Sequence, residues 1–162
     1  MKKDKEFHTV RGYQMINSEK KLLTPSMEDY MEMISRICKD EAYVRINQLA
    51  ESLNVRPSSV TKIVSKLSEL GLVDYERYGI IQLTEAGIEL GKFLLKRHEI
   101  IESFLKNLGI EDTLLKDTEM IEHFISLNTL KSIHTLNDFF LENCDVLERY
   151  IAFKQEYCND IV

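Results

Sequence analysis

Apolar residues in this chain fall mostly at helical spacing, and the pattern turns strand-like in one place only. In "TPSMEDYMEMISRICKDE", Tyr30, Met33, Ile34 and Ile37 recur every three to four positions and form one stripe of an amphipathic helix. Thr24 and Pro25 ahead of it supply an N-cap and a first-turn proline. "RINQLAESLNV" repeats the pattern briefly, with Ile46, Leu49, Ala50 and Leu53 facing inward. "RPSSVTKIVSKLSELG" repeats it a third time: Pro57 opens, Val60, Ile63, Val64 and Leu67 form the stripe, and Gly71 stands where a C-cap belongs. In "LVDYERYGIIQL", residues 72–75 and 80–83 are β-rich and flank a turn ending in Gly79. Helix, short helix, turn, helix and hairpin is the order of a winged helix-turn-helix.

From Thr84, itself a candidate N-cap, the helical period returns and runs to Gly109. A helix of about 20 residues spans roughly 30 Å, more than a small DNA-binding module requires. "EDTLLKDTEMIEHFISLN", "TLKSIHTLNDFFLEN" and "DVLERYIAFKQEYCN" predict three more helices. The expected fold is therefore mainly α. A polar leader arm covers 1–23, a winged helix-turn-helix with a two-stranded β wing covers 24–83, and an all-helical domain covers 84–162. The excess of apolar residues in the last of these, including Phe139, Phe140 and Leu141 in a row, predicts a homodimer.

Charge changes this picture in one respect. The net charge is -6, which does not suggest a general polyanion binder. It is unevenly spread: +3 over 1–23, -3 over 24–41, +1 over 42–83 and -7 over 84–162. A mildly basic reading module joined to an acidic one fits this distribution. The three cysteines, Cys38, Cys144 and Cys158, show no CxxC spacing, so neither a disulfide framework nor a zinc ribbon is expected. No apolar run approaches the roughly 20 residues that span a bilayer. A cytoplasmic protein with no membrane partner is expected.

A recognition helix needs small hydrogen-bonding side chains where it enters the major groove, and cations nearby for phosphate. Beside Pro57, Ser58, Ser59 and Thr61 supply the first, and Arg56, Lys62 and Lys66 the second. Arg77 and Tyr78 fall at the wing tip. Each residue alone reads as an ordinary solvated position; their order, with the hairpin following, points to double-stranded DNA.

A second chemistry lies elsewhere. "DTEMIEHF" puts Glu119, Glu122 and His123 at i, i+3 and i+4 of a predicted helix. "MEDYMEM" puts Asp29 and Glu32 at i, i+3, and "KRHEII" sets His98 among apolar residues. Solvated acidic faces and a satisfied core histidine would account for each separately. Together they form an oxygen-rich set with imidazole, suited to Mn²⁺, Fe²⁺ or Co²⁺, and a carboxylate can bridge two such ions. Spacing alone leaves open whether the six converge.

"TPSMEDYMEMI", "VRPSSVTKIVSKL", "GLVDYERYGIIQLTEAG", "KRHEIIESFL" and "EMIEHFISLN" together resemble the manganese-type branch of the DtxR family. The resemblance runs from about Thr24 to about Phe140. It implies a homodimeric repressor of metal-uptake genes, activated for operator binding by a pair of Mn²⁺ ions per subunit. The implied ligands are Asp29, Glu32, His98, Glu119, Glu122 and His123, with Glu119 and Glu122 bridging; Fe²⁺, Co²⁺, Cd²⁺ and Zn²⁺ are alternative occupants. The iron-type branch carries Met and Cys at the positions of Asp29 and Glu119, and oxygen stands at both here. Two departures fall near the site: Phe124 replaces a frequent second histidine, and the loop from Gly109 to Glu119 is about one residue short. Competing readings are an iron-responsive repressor, a metal-independent winged-helix repressor and a carboxylate-bridged di-metal enzyme. The last typically needs two Glu-x-x-His repeats, whereas Glu119-x-x-Glu122-His123 occurs once.

Overall fold

The computed structural model describes residues 23–76 and 79–157. The chain divides into two units, Met1–Leu95 and Lys96–Val162, with the boundary inside one helix. The elements are α1 (Pro25–Ile37), β1 (Val44–Arg45), α2 (Ile46–Ser52), α3 (Pro57–Glu69), β2 (Val73–Glu76), β3 (Ile80–Leu83), α4 (Glu85–Asn107), α5 (Leu114–Glu122), α6 (Leu127–Glu142) and α7 (Cys144–Tyr157). The mainly α class, with a winged helix-turn-helix first and helices after it, is what the periodicity predicts.

The first unit differs from that reading in detail. The expected two strands of the wing, β2 and β3, pair as predicted, and β1 joins them in a three-stranded antiparallel sheet of order β1-β3-β2. Val44 and Arg45 pair with Ile81 and Ile80, and two residues are too few to leave an alternating signature. The buried stripe of α1 is Met27, Tyr30, Met31 and Ile34, while Met33 and Ile37 are only half-buried. Leu23, assigned by sequence to the leader arm, is also buried. The rest of that leader lies outside the described residues. Leu49, Val60, Val64, Leu67, Leu72 and Ile81 complete the centre of the core.

Local chemistry accounts for the boundaries. The Thr24 hydroxyl accepts from the Met27 amide at 3.3 Å and caps α1. After α3, Gly71 takes φ +71°. This lets its own N–H reach the Ser68 carbonyl at 2.9 Å and the Leu72 N–H reach Leu67 at 3.0 Å. The pair forms a Schellman stop, which a side chain at this φ would strain. Thr84 joins the wing to α4: its hydroxyl donates to the Gly71 carbonyl at 2.7 Å and accepts from the Gly87 amide at 3.1 Å. Gly87 passes so close to the Leu72 carbonyl that a Cβ there would overlap it.

In the second unit the end of α4 is followed by α5, α6 and α7. Buried Ile100, Ile101, Leu105 and Leu130 line its interior. α6 buries only Leu130 and Asn137, and α7 buries nothing fully. The Lys154 ammonium of α7 donates to the carbonyls of Leu108 at 2.6 Å and Gly109 at 3.0 Å. A cation thus caps the negative end of α4.

Candidate metal centre and nucleic-acid interface

Glu122 is the last residue of α5, and its side chain is almost wholly buried. A buried carboxylate needs partners, and it has two imidazoles. The His98 Nδ1 of α4 lies 3.0 Å from one carboxylate oxygen, and the His123 Nε2 lies 3.8 Å from the other. Each histidine side chain is itself 10% exposed. One anionic oxygen donor flanked by two borderline nitrogen donors, shielded from water, is a donor set that a divalent cation of the first transition row fits.

The six residues picked out by sequence fare unequally. The second unit brings His98, Glu122 and His123 together. α5 ends at Glu122, and His123 follows as its C-cap with αR backbone. Glu119 is exposed one turn earlier, where it lines a hollow of about 490 Å³ with Glu102, Glu111 and Asp112. In the first unit, α1 presents Asp29 exposed and Glu32 buried. The Arg36 guanidinium donates to one Glu32 oxygen at 2.6 and 3.1 Å. Burial, and then the Asp29 charge, push the Tyr30 phenol above its usual pKa. Glu28, next to Asp29, is buried as well, and nothing in the spacing signalled it.

On α3, Arg56, Pro57, Ser58, Ser59, Lys62 and Lys66 are exposed, as a reading helix needs. Thr61 is half-buried and its hydroxyl donates to its own helix at the Pro57 carbonyl, 3.1 Å away. It is less available than the sequence suggests, because a threonine inside a helix readily bonds back by one turn. Arg77 and Tyr78 lie outside the described residues. Asn47, Glu51 and Asn54 were not anticipated; with Arg56, Pro57 and Ser59 they line a hollow of about 670 Å³ at the α2–α3 turn. Asn54 turns the chain there at φ +52°, a role asparagine tolerates better than most residues. Its place just after α2 was the available signal.

Residues 22–81 match the family described as iron dependent repressor, N-terminal DNA binding domain. Residues 84–149 match its metal binding and dimerisation domain. The chain is 42% identical over 135 residues to the HTH-type transcriptional regulator MntR of Lysinibacillus sphaericus, covering 83% of this chain and 97% of that one. It is 46% identical over 121 residues to the protein of the same name from Shouchella clausii, covering 74% and 85%. Among solved structures, a manganese-dependent transcriptional repressor in complex with manganese superposes with a TM-score of 0.64 at 30% identity. That match covers 70% of this chain and 53% of the other. The chain thus carries a DNA-binding domain followed by a metal-binding and dimerisation domain, and it belongs to the iron-dependent repressor, or DtxR, family of transcriptional regulators.

Proposed function

We propose that this regulator, which is not an enzyme, is a homodimeric repressor of metal-uptake genes, activated by Mn²⁺. The observation that carries the reading is the buried Glu122 carboxylate between two imidazoles, in a chain similar to a manganese-dependent transcriptional repressor solved with manganese. Oxygen at Asp29 and Glu119, where the iron-type branch has sulfur, favours Mn²⁺ over softer ions. Asp29 and Glu32 act with His98, Glu119, Glu122 and His123 on a binuclear site. When bound, the metal would supply the positive charge that balances these carboxylates. By linkage, operator DNA then raises metal affinity by the factor that metal raises DNA affinity.

Phe139 and Leu141, 46% and 75% accessible in the single chain, are apolar side chains that a second copy would cover. A twofold dimer sets two α3 helices about one DNA turn apart, roughly 34 Å. Among the described residues no helix is long and apolar enough to cross a membrane.

The test is operator binding to promoters of manganese-uptake genes against free metal. Mn²⁺ is expected to activate fully, Zn²⁺ weakly despite its tighter binding, and a chelator to abolish binding. Equal activation by Fe²⁺ would favour the iron-responsive reading. Binding indifferent to chelator would favour the metal-independent one.

A further inference from the structure

Helix α6 is 16 residues long and buries two of them, Leu130 and Asn137. They are seven positions apart and share one face. Leu130 contributes non-directional apolar contact. Asn137 is directional at both ends: its Nδ2 donates to the Ile100 carbonyl at 2.9 Å, and its Oδ1 accepts from the Asn107 Nδ2 at 3.1 Å. Ile100 and Asn107 lie two turns apart on the stretch of α4 that begins just beyond His98. The side chain is 5% exposed, so water does not satisfy it in any other position.

α5 is strung between these two helices. Its far end carries Glu122, and Ser126 caps α6 only four residues later, accepting from the Thr129 amide at 3.2 Å. Wherever α6 sits along α4, the Glu122 end of α5 must follow. A slip of α6 by one helical turn is about 5.4 Å, more than the 3.0 Å contact between His98 and Glu122 tolerates. Half-buried Ile133, one turn before Asn137, would fill the same apolar space after such a slip. The Asn137 bonds would be lost together with the His98–Glu122 contact.

We propose that Asn137 is the register residue that keeps His98 and Glu122 within reach of each other, and so a positioning residue of the metal site; this rests on the metal reading above. A buried polar residue that fixes register often costs stability relative to an apolar one. Asn137→Leu should therefore separate stability from binding.

The experiment uses the full-length protein, wild type and Asn137→Leu, with three measurements. In metal-free protein, the thermal midpoint is expected to stay level or rise, and the ¹⁵N signals of the His98 ring to move away from their hydrogen-bonded values. By calorimetry, Mn²⁺ affinity is expected to fall about tenfold or more. An unchanged His98 signal with Mn²⁺ affinity within twofold of wild type overturns the proposal. A collapse in midpoint that accounts for the affinity loss overturns it too, by assigning Asn137 to general stability. If Asn137→Leu fails to fold, Asn107→Ala decides: it removes one bond from a half-exposed partner and should weaken Mn²⁺ binding less but in the same direction, and no change overturns the idea. Should wild type bind no Mn²⁺, the metal reading falls instead, and the metal-free His98 signal still judges Asn137.

Discussion

His98 Nδ1 and Glu122 Oε2 lie 3.0 Å apart across 24 residues of chain. The contact closes the end of α5 onto α4 and holds one oxygen of a buried carboxylate. The other oxygen faces His123. Three candidate donors thus come from α4 and the end of α5, within one unit.

Replacing Glu122 with Gln keeps the shape and a partner for His98 but removes the anion. Metal-free unfolding should stay near wild type, while Mn²⁺ affinity should fall on the order of 100-fold. Calorimetric titration beside thermal melts checks both. Wild-type affinity in this variant would mean the cation binds elsewhere.

Lys62 and Lys66 are exposed on α3. Changing either to Ala should weaken binding to all duplexes and reduce the salt slope of log K by about 1, since one phosphate contact and its released counterion are lost. Ser58→Ala or Ser59→Ala should shift sequence preference more than overall affinity. Binding isotherms at several salt concentrations on operator and scrambled DNA separate the two; an unchanged slope in both lysine variants would remove α3 from the groove.

Gly71→Ala and Gly87→Ala test two different constraints. At Gly71 nothing lies within 4 Å of an added Cβ, so the cost is the positive φ alone, about 1–2 kcal/mol. At Gly87 the added carbon meets the Leu72 backbone carbonyl, which cannot rotate aside, so the loss should be larger. Urea unfolding of both variants gives the order directly.

Cys38 is half-buried and Cys144 exposed. Burial, and next the Glu41 charge, push the Cys38 thiol above its usual pKa. A raised thiol pKa leaves less thiolate at any given pH below it, so Cys38 should alkylate more slowly than Cys144 with iodoacetamide at pH 8. Peptide mass spectrometry over time reports the order, and faster labelling of Cys38 would contradict the burial argument.

The long elements were legible because their apolar spacing is redundant: α3 and α4 carry enough turns that no single residue decides. α1 shows the limit. Its methionines at 27, 31 and 33 span two overlapping stripes, and packing selects Met27 and Met31 over Met33. β1 escaped notice because a two-residue strand exists only through its partner, β3. At the site, residue types were readable and relations were not. Helical spacing groups 119, 122 and 123 but does not give their burial: Glu119 is exposed, Glu122 buried and His123 in between. Asn137 read as one more polar position because its partners lie on another helix.

The three-stranded sheet also sets an order of assembly. The helix stops at Gly71 and Gly109 close through hydrogen bonds to residues a few positions back, and β2 meets β3 across a short turn. β1 must wait for a distant segment, since Val44 pairs with Ile81 and the Ile46 amide donates to the Gly79 carbonyl at 3.1 Å. Closing that long loop costs more entropy than joining β2 to β3. β1 is therefore expected to dock after β2 and β3 have paired, and its amides to be among the first in the sheet to exchange with deuterium.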